Sequence, residues 1–593
     1  MHRWIRYMRR GVAAFVIAGA LLIGTGLGYT LTPQRHFDAF VEQLPALLVA
    51  PDDMSLPFLF ADPTAYGVAI EPAALPYGDE SDWEDSLDGV RFLQGVLDHF
   101  EPEDLSASSR LTRDILQDWL ERQRLTAEHY WLSTGYLGSF TGFQAQLPLL
   151  LTEYPVRRQN DIDGLFHMLE TAEETFVQYA ALERQRQENG AGLSRTILAR
   201  VIEQCETFQD SDVSFLVDAF SAKVDAADFL SAQDKEAYKA TGKALIENNL
   251  RQAYRRLGEE LSSIENAPED GGLAERPGGQ AFYQALFQQT TGSDMTIEEA
   301  EAWLTERLEQ YLGEFTLLTL SLAKSDPEGL TAYMQAGQPA YGEFESAEQN
   351  LDYLREAMLA DYPDVANLSY AIHTVPDAMK DNFSPAAYLR SPIDQPDGTP
   401  ESIYINGAYS PSIFPTVAHE GYPGHMYQNA FFKAQKLPAV RYILDYNGYT
   451  EGWATYVENR SDRYAQDSDV AALHNASQRA VQMVICLLDI GIHYHGWDLE
   501  ESAAFVGQYL NIPEESMREQ YLLHVETPTN YLQYYFTGAQ LEEMRRQAEQ
   551  ELGDAFSAVE FHRVLLATGP APLGILQQQV DNWVVSVQAK AAA

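Results

Sequence analysis

The sequence predicts a mainly α-helical protein with two helical lobes and a minor short β element. Apolar residues recur at three- and four-residue spacings among charged ones, for example over 111–127 and 161–187. That spacing is typical of helices with one buried face. Alternating strand patterns are nearly absent, and the run 402–406 is one of the few. Helix packing against helix is therefore the expected architecture.

A break in the helical pattern divides the chain into two parts. Glycine and proline cluster over 268–279, which indicates a linker or a long loop. We expect one large helical domain over 36–593. Its N-terminal lobe would cover about 36–267, and a lobe that carries the catalytic residues would cover about 280–593.

The composition is that of a globular protein with a large negative charge. The chain has 593 residues, 45% of them hydrophobic, and 87 acidic against 40 basic side chains give a formal net charge of −47. Such a protein would repel phosphate backbones, so nucleic acid is excluded as a partner. A solvated acidic surface accounts for the charge. The sequence leaves the oligomeric state open.

The N-terminus differs from the rest of the chain. Four arginines lie within the first ten residues, the uncharged run 11–29 follows, and no acidic residue occurs before Asp38. A basic flank before an apolar run is typical of an export signal or a membrane anchor. We expect residues 1–30 to be a signal peptide or an N-terminal membrane anchor. The body would then be extracytoplasmic, secreted or attached to the membrane through this segment only.

Two histidines with a glutamate after the first form the central motif. His419, Glu420 and His425 have the residue types of a metal hydrolase, in which imidazoles hold the ion and a carboxylate takes a proton from water. The usual spacing of two such histidines is four residues, which places both on one helix face. Here the spacing is six, so an unbroken helix would point them roughly 120° apart. Either the pair is not a metal site, or the helix breaks at Pro423 and Gly424.

A third metal ligand would complete the site. The run 450–458 begins 25 residues after His425 and places Glu451 near its start. Thr455 and Glu458 follow Glu451 at four and seven residues, on the same helical face. One of these two could hold the second ring nitrogen of a ligand histidine. One zinc ion is inferred from the ligand types, although imidazole and carboxylate also suit other transition metals.

Several motifs together resemble a bacterial family, domain of unknown function 885. They are His-Glu-Gly-Tyr-Pro-Gly-His over 419–425, Glu-Gly-Trp-Ala-Thr-Tyr-Val-Glu over 451–458, and Asp-Ile-Gly-Ile-His-Tyr-His-Gly-Trp over 489–497. The similarity covers most of 36–590. Members of that family look like distant relatives of the gluzincin zinc metallopeptidases. The resemblance implies a helical fold with a deep central cleft, and a precedent for histidines six residues apart.

The resemblance also implies roles for residues outside the metal motifs. Gluzincins commonly use a histidine or a tyrosine to stabilise the oxyanion, and His493 and Tyr534 match the family motifs. Thr537 replaces a usual glycine, which leaves open whether Tyr534 or Tyr535 faces the site. By analogy, the strand that contains Tyr404 and Asn406 would bind an extended substrate through a free strand edge.

The resulting hypothesis is an exported zinc-dependent peptidase. It would hydrolyse short peptides through a metal-activated water, with Glu420 as the general base. Two alternatives stay open: a catalytically inactive peptide-binding protein of the same fold, and a zinc amidase that acts on a non-peptide substrate. The sequence does not indicate which peptides are cut or from which end.

Overall fold

The computed structural model describes residues 32–592, apart from 343, 376–379, 381–383, 397, 408–412 and 466–467. The predicted signal peptide or anchor over 1–30 lies outside the described residues. Among the residues that are described, no helix combines the length and the apolar character needed to cross a membrane.

The prediction of a mainly helical fold is confirmed. Short 3-10 and π segments join several of the helices in the first half of the chain, as at Leu245–Leu250. The α-helices of this half are Pro33–Leu48, Leu56–Leu59, Glu80–Leu97, Ala107–Ala127, Tyr130–Ser133, Phe143–Glu153, Gln159–Glu188, Arg195–Asp210, Ser214–Ala226, Ala232–Ala244 and Arg251–Leu261.

The second half contains two π-helical turns, Gly491–His495 and Leu532–Phe536. Its α-helices are Gly279–Thr291, Ile297–Ser325, Pro327–Ala336, Ala347–Ala357, Phe414–Glu420, His425–Ala434, Val440–Ile443, Asn447–Ser461, Ser468–Ile490, Leu499–Val506, Glu514–Glu526, Thr537–Leu552, Ala558–Thr568 and Leu573–Ala592.

Two large hydrophobic cores hold these helices together. The first joins residues 37–127 with residues 283–584, and the second joins residues 54–77 with 136–267. The cores therefore divide the chain differently from the predicted lobes, because the first helices pack with the C-terminal half. Arg122 is one contact between these two parts of the chain. It is buried, and its Nη1 donates to the carbonyl of Ser293 at 2.8 Å.

The β element is a three-stranded sheet, β1 (Tyr370–Thr374), β2 (Ala386–Leu389) and β3 (Glu401–Ile405). β3 lies in the middle, parallel to β1 and antiparallel to β2. The expectation that the strand of Tyr404 offers a free edge is therefore wrong, because neighbours occupy both of its sides. Among the described strands, β2 lies at the edge of the sheet beside Glu420.

The carboxylate of Glu526 connects the second core to the C-terminal helices. Glu526, at the end of Glu514–Glu526, accepts from the backbone N–H of Phe140 at 2.6 Å and of Thr141 at 3.3 Å. The hydroxyl of Ser139 donates to the other oxygen. A charged acceptor of this kind is stronger than a neutral one, so the loop 139–141 is fixed to the helix end.

We expect Glu526→Gln to loosen the loop 139–141. An amide oxygen carries no charge, so the loss should be about 1–3 kcal/mol of unfolding free energy. Urea unfolding measures the loss, and hydrogen exchange should locate it at residues 139–141. The exposed Glu515 on the same helix offers the control Glu515→Gln, which should change neither. Equal effects of the two substitutions would contradict the role given to Glu526.

Candidate metal centre

The helix that carries the first histidine ends before the second begins. Phe414–Glu420 stops at Glu420, a turn follows over 421–424 with a cis Tyr422–Pro423 peptide, and His425–Ala434 starts a new helix. The predicted break at Pro423 and Gly424 is confirmed. It removes the geometric objection to the six-residue spacing, because the two imidazoles no longer belong to one straight helix.

A close backbone approach fixes the shape of this turn. A Cβ atom added to Gly424 would lie 1.7 Å from the carbonyl oxygen of His419, so only glycine fits. On the other side, the indole Nε1 of Trp453 donates to the carbonyl of Pro423 at 2.9 Å. Trp453 lies two residues after Glu451, so the helix Asn447–Ser461 both holds the turn and carries the candidate third ligand.

His419, His425 and Glu451 converge on one point. The two imidazole rings lie 4.7 Å apart at 85°, and one ligand atom from each of the three residues lies within 4.8 Å of the others. Oε2 of Glu451 is 3.2 Å from Nε2 of His425 and 3.7 Å from Nε2 of His419. Donors around one tetrahedral zinc ion are roughly 3.4 Å apart. The group can therefore hold a metal ion, and its nitrogen and oxygen donors fit zinc.

Glu458 holds the outer nitrogen of the first histidine. Its Oε2 lies 2.9 Å from Nδ1 of His419, whereas Thr455 is buried against Gly538. Burial alone would lower the pKa of His419, but the hydrogen bonds to Glu451 and Glu458 raise it well above its ordinary value. Burial would conversely raise the pKa of Glu451, but His425 and His419 hold it far below the usual range.

Glu420 lies between the metal ligands and the sheet. Its Oε2 accepts from the backbone N–H of Tyr388 at 2.7 Å, on the outer edge of β2. The Tyr388 side chain is fixed in turn, because its hydroxyl donates to Glu401 at 2.7 Å and accepts from Asn429 at 2.8 Å. The sequence did not indicate Tyr388, since this contact depends on how the sheet packs against the helix.

Tyr534 is the tyrosine that faces the ligands. Its ring stacks on His419 with centroids 6.3 Å apart, whereas Tyr535 stacks on Tyr531 at 5.6 Å. Burial raises the pKa of Tyr534, and the nearby charges of Glu451 and Glu420 raise it further. The π turn Leu532–Phe536 sets which of the two side chains points to the metal group. The phenol stays protonated, and its hydroxyl remains a donor.

His493 does not have the environment of a catalytic residue. It is fully buried, its Nδ1 accepts from the N–H of Leu273 at 3.1 Å, and its Nε2 donates to the carbonyl of His524 at 2.8 Å. Both ring nitrogens are occupied by backbone groups, so none is left for an oxyanion. The role expected for His493 is corrected accordingly: it joins the linker 268–279 to the helix Glu514–Glu526.

Tyr404 and Asn406 have contacts that hold the sheet in place. The hydroxyl of Tyr404 donates to Glu153 at 2.7 Å, and its ring stacks on His373 at 5.0 Å. Asn406 is fully buried, and its side-chain amide donates to the carbonyl of Lys380 at 2.7 Å. These bonds anchor β3 to the second core and to the segment before β2. A substrate role for either residue stays a prediction.

A small cavity opens beside the metal group. Its volume is about 170 Å³, and its lining includes His425, Glu451, Arg390, Phe432 and Tyr449. The cavity lies on the side of β2 and combines aromatic walls with charged groups. It is the right size for one side chain of a bound molecule.

Comparison with known proteins gives a family but no established activity. The family model described as bacterial protein of unknown function (DUF885) matches residues 64–580. A candidate lipoprotein from Colwellia psychrerythraea has a similar structure, with a TM-score of 0.76 at 16% identity, over 98% of this chain and 100% of that one. A candidate lipoprotein of unknown function from Shewanella oneidensis has a TM-score of 0.60 at 16% identity, over 86% and 94% of the chains.

Two further comparisons do not help to assign a fold or a function. An oligoendopeptidase F from Bacillus anthracis str. Ames aligns over 86% of this chain and 96% of that one at 12% identity, with a TM-score of only 0.29. That value is too low to support a shared fold. No curated protein matches this chain.

We expect Gly424→Ala to impair metal binding. The added methyl group would collide with the His419 carbonyl and push the histidines apart, at a cost of about 1–3 kcal/mol. Zinc affinity, measured by calorimetry on the purified protein, should fall about ten-fold or more. Gly95→Ala is a suitable control, because an added Cβ at Gly95 meets nothing within 4 Å. Unchanged zinc affinity in Gly424→Ala would contradict the account of the turn.

We expect stability to fall in mild acid because two buried histidines must stay neutral. Burial lowers the pKa of His493 to about 3 and that of His524 to about 4. The unfolded chain therefore binds protons first, from about pH 6.5 downwards, which costs up to about 1.4 kcal/mol per pH unit for each group. Chemical unfolding between pH 7 and 5 measures this slope. His493→Gln should flatten it, while the exposed His99→Gln should not.

Proposed function

This chain belongs to the bacterial DUF885 family, and we propose that it is an exported zinc-dependent peptidase that hydrolyses short peptides. The observation that carries the proposal is the convergence of His419, His425 and Glu451 next to the carboxylate of Glu420. Three protein ligands leave a fourth position for water or substrate, as catalytic zinc sites do. The resemblance of these motifs to gluzincin peptidases supports the same reaction.

The metal would be held by the two Nε2 atoms and by the carboxylate of Glu451. A bound zinc ion would supply Lewis-acid activation of water and of the scissile carbonyl. Glu458 orients the ring of His419 through its 2.9 Å contact with Nδ1 and makes Nε2 a better ligand. Removal of such an outer partner typically lowers metal affinity by about 10–100-fold.

Glu420 would move the proton in this reaction. Its carboxylate takes a proton from the attacking water and passes it to the leaving amine nitrogen. The hydrogen bond from the Tyr388 N–H keeps one oxygen of Glu420 fixed on the β2 side. The carboxylate is therefore pre-positioned, and its orientation costs little at the moment of reaction.

The outer edge of β2 offers a place for the substrate backbone beside Glu420. On this edge the N–H of Tyr388 and the carbonyl of Ala386 already have side-chain partners, which a pairing peptide would displace. Alternate side chains of such a peptide would point to opposite faces. The cavity of about 170 Å³ beside His425 could take one of these side chains. Tyr534 supports the proposal from the other side, because its neutral hydroxyl can donate to an oxyanion.

The proposed location outside the cytoplasm rests on the N-terminal sequence. A basic flank and an uncharged run over 11–29 are typical of export or anchoring. The two similar solved structures are themselves named as candidate lipoproteins, which fits this location.

We expect Glu420→Gln to abolish hydrolysis without loss of the metal. Glu420 is not one of the three converging ligands, and loss of a general base costs about 10²–10⁴-fold in rate. The measurement is mass-spectrometric cleavage profiling of a mixed peptide library, with metal content determined in parallel. His425→Ala, by contrast, should lose both metal and activity.

The same experiment separates the competing functions. Wild-type protein that binds zinc but cleaves no peptide would indicate a peptide-binding protein, or an amidase that needs a non-peptide substrate. Hydrolysis that persists in Glu420→Gln, or that resists removal of the metal by a chelator, would contradict the proposed mechanism.

A further inference from the structure

A larger cavity lies on the far side of the helix that carries Glu451. Its volume is about 570 Å³, and it is enclosed by Asn447–Ser461, Ser468–Ile490, Ile297–Ser325 and Thr537–Leu552. Four arginines line it, in a chain with 40 basic residues and a net charge of −47: Arg460, Arg463, Arg479 and Arg545. None of the residues of the metal group takes part in its lining.

The helix Asn447–Ser461 separates this cavity from the metal group. Glu451 and Glu458 lie seven residues apart on one face, which looks towards the histidines. Tyr456 and Arg460 form a second stripe, about 160° further round the same helix, and line the cavity. The two sites are therefore back to back on one helix.

Aromatic rings hold the arginines in place. The guanidinium of Arg479 lies 4.5 Å from the ring centre of Tyr311, and that of Arg460 lies 5.7 Å from Tyr456. Stacking of this kind fixes the plane of an arginine and restricts its side chain. The cations are thus pre-organised for a ligand instead of moving freely in solvent.

The carboxylates around the cavity use only part of the arginines' hydrogen-bonding capacity. Arg460 reaches Glu542 through Nη1 at 3.2 Å, and Arg479 reaches Glu314 through Nη2 at 3.2 Å. Within the described residues, the buried Nε atoms of Arg460, Arg479 and Arg545 have no hydrogen-bond partner. An arginine can donate five hydrogen bonds. Because these Nε atoms are buried, the terminal Nη groups are the donors that a ligand in the cavity would reach.

Among the described residues of the lining, arginines outnumber acids. Three acids, Glu314, Asp462 and Glu542, face the four arginines, while Asp361 and Glu549 pair with Arg463 and Arg545 from outside the lining. Burial raises the pKa of Asp462 to about 7, so this acid is neutral in part of the molecules at neutral pH. The cavity thus gathers four arginines in a strongly acidic protein, each paired with one carboxylate.

We propose that this cavity is a binding site for a small oxyanion with two or more negative groups, of the phosphate or carboxylate type. Planar guanidinium groups bind such oxygens in pairs, and several arginines around one volume favour a multivalent ligand over a single anion. The site does not depend on the proposed peptidase activity. A ligand in this cavity would contact the helix Asn447–Ser461 on the face opposite Glu451.

The test uses pyrophosphate and citrate as probes on the full chain. Because both probes bind divalent metals, the protein is first freed of metal with a chelator and dialysed. Isothermal titration calorimetry at constant ionic strength should give saturable binding at one site, and thermal unfolding should move to higher temperature. Chloride at the same ionic strength should do neither. Phosphate and carboxylate ligands are distinguished by which probe binds more tightly.

Single substitutions identify the site. Arg463→Gln and Arg479→Gln should each raise the dissociation constant about ten-fold or more, since each removes a charge-assisted hydrogen bond. Arg563→Gln is the control. The side chain of Arg563 is 46% exposed and paired with Glu560, and that of Arg463 is 44% exposed and paired with Asp361. The control should bind the probe as the wild type does.

Two results would overturn the proposal. One is the absence of saturable binding of either probe to the metal-free protein. The other is binding that is unchanged in Arg463→Gln. Arg479 packs on Tyr311, so its variant counts only if it unfolds at the same temperature as the wild type.

Discussion

The architecture of the candidate site depends on one close contact between backbones. The turn at Gly424 passes so near the carbonyl of His419 that no side chain fits between them. This contact ends one helix, starts the next, and turns two imidazoles that would diverge on a straight helix towards each other. Trp453 fixes the turn from the helix of Glu451, so the same element positions the third ligand. The three ligands form one unit, because each constrains the others.

The residues that converge could be found in the sequence because they are close to one another along the chain. His419, Glu420 and His425 occupy seven consecutive positions, and Glu451 and Glu458 share one helix, so spacing and helical periodicity are sufficient. The mainly helical fold followed from the same local signals. Proline and glycine between the histidines also indicated where the helix would break.

What the sequence did not predict depends on packing between distant segments. The sequence did not indicate that β3 is the central strand. β3 is central because β2 pairs with it, and β2 is only four residues long. His493 matched a motif, but its burial and its two backbone partners follow from neighbours more than thirty and two hundred residues away. The glycine- and proline-rich break was a correct local signal, yet it could not indicate that the first helices join the C-terminal core.

That shared core has a consequence for the order in which the molecule can form. Residues 37–127 bury their apolar faces against residues 283–584, and those partners are the last part of the chain to be made. The N-terminal helices therefore stay uncovered until synthesis is nearly complete, while the core of 136–267 can close earlier. A chain cut short before the C-terminal half could therefore complete the core of 136–267 but would leave the apolar faces of its first helices exposed.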